Sequence, residues 1–204
     1  MILINGSLFV TLGVLIYIIS RTIFIRRQYR NKTQVSWLKE MFNFSFCLYI
    51  CLVVSVTLFP IPIGFGYDYR DSFRSINVIP LVSIIKNIGQ IGTAYDGDVV
   101  FMISLIVRNV GGNILLLMPF GFLVPIVFKN IKGLKSVTIL GFSVSVSIEV
   151  LQLVESFGGG WGRITDIDDV ICNVTGVIIG YIIYSLIIKM GEKYKIGAIT
   201  NLNL

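Results

Sequence analysis

The hydrophobic and polar positions of this chain divide it into five long apolar runs separated by shorter polar loops. An α-helix needs about 20 predominantly apolar residues to cross the roughly 30 Å hydrocarbon core of a bilayer. The runs are too long for the alternating strands of a membrane barrel. The pattern therefore predicts an all-α integral membrane protein, a five-helix transmembrane bundle with spans at about Leu3 to Ile25, Met41 to Phe59, Val110 to Phe128, Leu134 to Val154 and Val170 to Ile188.

The composition agrees with a membrane protein, and the positions of the basic residues explain the net positive charge. Of 204 residues, 55% are hydrophobic and only 14% are charged, which is too apolar for an ordinary soluble domain. The charge of +6 comes from basic residues near the span ends, which mark cytoplasmic loops. We expect the N-terminus outside, the C-terminus inside, one domain over residues 1–204 and no nucleic-acid partner. The basic groups are Arg26, Arg27, Arg30, Lys32 and Lys39; Lys129, Lys132 and Lys135; and Lys189, Lys193 and Lys195.

The loop between the second and third predicted spans, from about Pro60 to Asp98, is long enough to contain structure of its own. Within it, Ser75 to Lys86 reads SINVIPLVSIIK, with apolar side chains grouped around Pro80. Such a segment is typical of a short interfacial or re-entrant helix at the membrane surface. Asn77 precedes the apolar residues and could cap this helix or reach into a site, and capping is the interpretation we favour.

Three predicted spans carry polar residues on one helical face near their outer ends. Projection at about 100° per residue aligns these residues into one stripe in each span. A bundle turns such stripes toward one another rather than toward lipid, so we expect an outward-facing polar pocket. Asp168 projects about 200° from Asp166 and falls outside it. The predicted pocket contains Asn77, Arg108, Asn109, Asn113, Glu149, Gln152, Arg163, Asp166, Asp169 and Asn173.

Glu149 is the most informative of these residues because it lies inside an apolar run. An ionised carboxylate there costs several kcal/mol unless it is paired. Arg108 or Arg163 could supply the positive charge, and the polar residues would then form a structural ion-pair network. The same residues could instead form a binding site, or Glu149 could stay protonated and act as a general acid. The sequence leaves these alternatives open.

The acidic residues at the start of the fifth predicted span also have two interpretations. Asp166 and Asp169 could hold Mg²⁺ or Ca²⁺, because both ions favour clustered carboxylate oxygens. They could equally stabilise the positive N-terminal end of the helix without any ligand. A cluster of aspartates alone is weak evidence for a metal, so we expect no cofactor and keep a metal at Asp166 and Asp169 as the alternative.

Four motifs follow one another along the second half of the chain. They read NVIPL (Asn77 to Leu81), RNVGGNILLLMPFGFLVP (Arg108 to Pro125), SVSIEVLQL (Ser145 to Leu153) and GRITDIDDVICNVTGVIIGY (Gly162 to Tyr181). In order and spacing these motifs resemble the VanZ-like family, whereas the first two spans match it only in being hydrophobic. The resemblance implies a VanZ-like core at about residues 40–190, preceded by an extra anchor helix at about residues 3–25.

The resemblance also implies a function and a location. VanZ-like proteins are multi-pass proteins of the bacterial cell membrane, and the related teicoplanin resistance protein lowers susceptibility to teicoplanin and lipoglycopeptide antibiotics. The family's recurrent polar positions would fall on the predicted pocket residues and on Pro80. Fold transfers more safely than phenotype within such a family.

The favoured hypothesis is a non-enzymatic protein whose pocket binds an amphiphile or an envelope-lipid headgroup. Arg108 and Arg163 would meet anionic groups, and the expected partners are membrane lipids and a glycopeptide antibiotic or a lipid-linked cell-wall precursor. One alternative is a metal-dependent membrane enzyme acting on a lipid-linked phosphate or peptidoglycan precursor. The other is a structural or assembly protein. The sequence leaves the oligomeric state open.

Overall fold

The computed structural model describes residues 2–32, 34–63, 76–157 and 165–196. Within them the chain forms six α-helices, and five of these are long and apolar enough to cross a membrane. The exception is the short third helix. The helices are α1 (Gly6–Arg30), α2 (Trp37–Leu58), α3 (Val82–Gly89), α4 (Val99–Val127), α5 (Leu134–Phe157) and α6 (Ile167–Lys193).

The five predicted spans correspond to α1, α2, α4, α5 and α6, which confirms the all-α architecture. The largest difference is at α4, which begins at Val99 rather than near Val110. Asp98 caps this helix, because its side chain accepts a hydrogen bond of 2.9 Å from the backbone N–H of Phe101. The short helix predicted at residues 75–86 lies further along, as α3. The direction in which the bundle crosses the membrane stays a prediction.

The centre of the bundle is the contact between α4 and α6, the most extensive contact between any two elements. A side chain at Gly121 would collide with the backbone carbonyl of Val177, and one at Gly176 with that of Ile114. At Gly180 the obstacle is the carbonyl of Met118. The two helices therefore approach at backbone distance over several turns. Small residues allow this close packing between membrane helices. The fully buried side chains around the contact include Leu117, Val124, Val137 and Val177.

The first helix packs on the second through small residues and one ion pair. Gly6 faces Ser55 and Gly13 faces Cys51, so α1 lies close to α2 although none of its described residues is buried. The guanidinium group of Arg21 donates two hydrogen bonds to the Glu40 carboxylate. This pair ties α1 to the start of α2, so the helix predicted as an extra anchor also has a specific partner within the protein.

We expect Arg21 and Glu40 to be energetically coupled. Arg21→Gln or Glu40→Gln alone leaves one charge without its partner, whereas the double variant removes both. A double-mutant cycle should therefore give a coupling free energy of about 1–3 kcal/mol. Unfolding of the purified proteins in detergent measures it. Arg30 is exposed at the end of α1, and Arg30→Gln combined with Glu40→Gln should be additive. Additivity between Arg21 and Glu40 would contradict the expectation.

Two small sheets connect the loops at the ends of the helices. The first pairs β1 (Ile2–Ile4) with β2 (Ile61–Ile63) in antiparallel orientation. The second pairs β3 (Ile76–Asn77) with β4 (Thr165–Asp166) in parallel, with Asn77 opposite Asp166. Because β4 runs directly into α6, this pairing holds the segment before α3 against the start of α6.

Candidate functional site

A cavity of about 750 Å³ lies where α3 meets the ends of the long helices. We call it the polar cavity. Its walls come from α2, α3, α4, α5 and the first turns of α6, so every element that carries a predicted polar stripe contributes. The residues that line it are Val56, Thr57, Ser83, Ile84, Lys86, Asn87, Gln90, Ile106, Arg108, Asn109, Val110, Gly112, Asn113, Leu116, Gln152, Asp166, Asp168, Asp169 and Cys172.

Asp166 organises the wall of the polar cavity at the start of α6. Its carboxylate accepts hydrogen bonds from the backbone N–H of Asp168 at 2.9 Å and from the Asn77 side-chain amide at 2.8 Å. Its own backbone N–H donates to the buried Glu149 carboxylate at 3.1 Å. The Asn77 amide also donates to the Ser83 hydroxyl. One chain of hydrogen bonds thus links α5, β4 and the segment that leads into α3.

Asp168 holds the start of α3. Only 3% of this residue is exposed, and its carboxylate accepts hydrogen bonds from the backbone N–H groups of Leu81 and, at 3.3 Å, Ile84. Leu81 has a left-handed backbone conformation, with φ of 66°, which costs a non-glycine residue about 1–2 kcal/mol. The carboxylate satisfies N–H groups that a helix start otherwise leaves free. Asp168 therefore fixes α3 as the cover of the polar cavity.

Three further hydrogen bonds join the helices around the cavity. The side-chain amide of Asn113 on α4 donates to Asp169 on α6 at 2.5 Å. Gln152 on α5 donates to the backbone carbonyl of Thr57 on α2 at 3.0 Å. Behind the cavity, Asn173 donates to the hydroxyl of Ser145 at 3.0 Å and is 1% exposed. The polar stripes therefore bind one another across the bundle.

A family model described as VanZ/LLP1 matches residues 46–188, which is more than half of the chain. The chain belongs to the VanZ/LLP1 family. This confirms the resemblance drawn from the four motifs. Comparisons with curated proteins and with solved structures found no match. The VanZ/LLP1 match begins after α1 and includes every residue that lines the polar cavity.

The VanZ/LLP1 region brings most of the predicted pocket residues to one place. Those that line the polar cavity are Arg108, Asn109, Asn113, Gln152, Asp166 and Asp169. Asn77 and Glu149 lie behind the wall and bind Asp166, which belongs to it. Asn173 is deeper and binds Ser145, which does not line the cavity. Arg163 is outside the described residues.

The structure corrects the sequence-based predictions for two residues, Asn77 and Arg108. Asn77 does not cap α3, because it lies in β3 and the residue that precedes the helix is Leu81. Arg108 is exposed and forms no ion pair with Glu149 or any other carboxylate of the described ranges. Within those ranges, Glu149 bonds to backbone rather than to an arginine. The buried carboxylates are thus held mainly by amide and backbone donors.

Several residues of the VanZ/LLP1 cavity were missed by the sequence analysis. Helical projection excluded Asp168 from the predicted pocket. However, Asp166 has an extended backbone and precedes the helix, so the helical-wheel angle from Asp166 does not describe where Asp168 lies. Lys86, Asn87 and Gln90 come from α3 and the turn after it. The sequence did indicate these three residues, because the polar face of a short amphipathic helix points away from lipid.

The charges of the polar cavity separate into two groups. Asp166, Asp168 and Asp169 each accept a hydrogen bond from the protein itself. Lys86 and Arg108 are exposed at positions that line the cavity. Among the described residues, no group of three or more acidic or cysteine side chains is arranged to hold a metal ion. The arrangement favours binding of an anion by the two basic residues, with amide groups of Asn87, Gln90 and Asn109 beside them.

Proposed function

We propose that the polar cavity binds the anionic headgroup of an amphiphile or envelope lipid, and that this binding lowers susceptibility to teicoplanin and lipoglycopeptide antibiotics. The observation that carries the proposal is the division of charge in the cavity. The three aspartates are engaged by protein donors, whereas Lys86 and Arg108 are exposed along its lining. An anionic group fits cations that are available at a cavity of about 750 Å³.

The short helix α3 supports an amphiphile rather than a water-soluble anion. Its polar side lines the cavity, while Val82, Ile85 and Ile88 on its other side are exposed. Exposed apolar residues on an amphipathic helix at a membrane surface contact acyl chains. A headgroup in the cavity would therefore leave its hydrocarbon chain next to the apolar side of α3.

The predicted topology supports action at the outer surface. Basic residues group at the loops on the opposite side, which supports an outer location for α3 and the polar cavity. A protein that occupies or masks a lipid headgroup, a lipid-linked cell-wall precursor or the antibiotic there reduces productive encounters between the antibiotic and its target. Membership of the VanZ/LLP1 family supports this proposal, because the resemblance to the teicoplanin resistance protein implies a role in antibiotic susceptibility.

Arg108→Gln is the direct test of the proposed anion site. We expect the affinity for an anionic phospholipid probe to fall roughly tenfold, because one charge-assisted hydrogen-bond donor is lost. Teicoplanin susceptibility of a bacterial host that expresses the variant should return toward that of cells without the protein. Vesicle binding by the purified protein and growth in graded antibiotic measure the two effects.

Arg30→Gln provides the matched control, since Arg30 is exposed at the end of α1 and does not line the polar cavity. Immunoblots must show equal abundance of the variants in the membrane. The proposal fails if Arg108→Gln keeps both lipid affinity and antibiotic susceptibility at the level of the control.

A further inference from the structure

The glycines of α4 differ in what surrounds them. A side chain at Gly121 would collide with the backbone of Val177 on α6, so this glycine allows the two helices to pack closely. A β-carbon at Gly112 would instead meet nothing within 4 Å. Glycine in the middle of a helix makes the helix less stable than alanine would. At Gly112, no contact among the described residues accounts for this loss of stability.

Gly112 leaves a gap in the wall of the polar cavity. Arg108, Gly112 and Leu116 all line the cavity and follow one another at intervals of four residues, which places them in one row along α4. Each interval is about 6 Å along the helix axis. The row therefore has an exposed cation at one end, open backbone one turn away and an apolar side chain one turn further. We call the open stretch the Gly112 gap.

The Gly112 gap has mostly polar surroundings on α4. Asn109 and Asn113 also line the cavity, three residues before the glycine and one residue after it. The side-chain amide of Asn113 donates a hydrogen bond of 2.5 Å to Asp169 on α6, which fixes one edge of the gap. A group that occupies the gap would lie beside amide side chains, which pair best with hydroxyl groups and other polar atoms.

We propose that Gly112 selects ligands whose headgroup extends beyond its phosphate, because the gap accommodates the added polar group. This inference rests on the anion site proposed above, in which Arg108 meets the anionic group. The phosphate would lie beside Arg108, and a glycerol or sugar attached to it would lie against the bare backbone one turn away. A headgroup that ends at its phosphate uses the cation but not the gap. The ligand class is therefore a phosphodiester lipid with a hydroxyl-bearing headgroup.

The test titrates the full chain in detergent with two short-chain lipids, phosphatidylglycerol and phosphatidic acid, which differ in the glycerol beyond the phosphate. The wild-type protein should bind phosphatidylglycerol more tightly. Gly112→Leu should lower this affinity at least about tenfold, since steric overlap in a packed site costs enough to change a binding constant by that factor. Its affinity for phosphatidic acid should stay near the wild-type value. Gly112→Ala should lose less affinity for phosphatidylglycerol than Gly112→Leu.

Thermal unfolding without lipid shows whether Gly112→Leu acts on binding or on folding. Because the new side chain starts in open space and leucine favours a helix more than glycine does, the variant should unfold at the wild-type temperature or above it. Gly111→Leu is the matched control, since a β-carbon at Gly111 also meets nothing within 4 Å and this residue does not line the cavity. The control should keep both lipid affinities. Should Gly112→Leu unfold at a lower temperature, the same comparison is made with Gly112→Ala.

Failure of the anion site and failure of the Gly112 gap give different results. If the wild-type protein binds neither lipid, the anion site is wrong and the role of Gly112 falls with it. If the wild-type protein binds both lipids without a preference, selection by Gly112 is wrong and the anion site stands. The same conclusion holds if Gly112→Leu keeps the preference for phosphatidylglycerol or weakens both lipids equally.

Discussion

Gly176→Ala is expected to destabilise the protein by about 1–3 kcal/mol. In an ordinary helix the same substitution stabilises by about 0.5–1 kcal/mol. The sign reverses because the new methyl group would overlap the carbonyl of Ile114, so α6 must move away from α4. Separation of the two helices would also disturb the neighbouring hydrogen bond from Asn113 to Asp169. Thermal unfolding in detergent, followed by circular dichroism, measures the loss.

Gly111→Ala is the matched control for this prediction. Gly111 lies on α4 close to Ile114, but a methyl group there would meet nothing within 4 Å. This variant should be as stable as the wild-type protein or slightly more stable. If Gly176→Ala is equally well tolerated, the close approach of α4 and α6 described above is wrong.

Asp168→Ala is expected to release α3 from the bundle while leaving the long helices folded. The substitution removes the acceptor for the N–H groups of Leu81 and Ile84, and each lost partner costs about 1–3 kcal/mol. Amide hydrogens of α3 should then exchange with solvent roughly 100-fold faster. Hydrogen–deuterium exchange of peptides that cover residues 82–89, read by mass spectrometry, measures this effect.

Asp98→Ala is a control with similar local chemistry, because Asp98 accepts a hydrogen bond from the first turn of α4 at an exposed position. Loss of an exposed cap costs about 1 kcal/mol. The increase in the exchange rate should therefore be smaller than in Asp168→Ala and confined to the start of α4. Unchanged exchange of α3 in Asp168→Ala would show that another contact holds the cover in place.

The long helices could be predicted because their length and apolarity leave few alternatives in a membrane. The start of α4 could not be placed, because Arg108 and Asn109 resemble the edge of a span and yet the helix continues past them to Asp98. A charged residue does not end a helix unless the backbone loses its hydrogen-bond pattern. The cap at Asp98 supplies the real boundary.

Helical projection worked for site residues within regular helices and failed at the junctions. It placed Asn113 and Asp169 on facing stripes, and the two side chains are hydrogen-bonded. It could not place Asp168, whose partner α3 comes from a loop distant in sequence. The ion pair between Arg21 and Glu40 could not be predicted for the same reason, because it depends on how α1 folds back along α2. Such contacts require the tertiary arrangement.

The pairing of β3 with β4 determines when the polar cavity can assemble during synthesis of the chain. Asn77 precedes its partner Asp166 by 89 positions, so it leaves the ribosome well before that partner exists. Until β4 and the start of α6 emerge, β3 has no neighbouring strand and α3 lacks the carboxylate of Asp168. The polar cavity is thus completed last. A chain terminated before β4 would contain α1, α2, α4 and α5, four helices able to enter a membrane, around an open site.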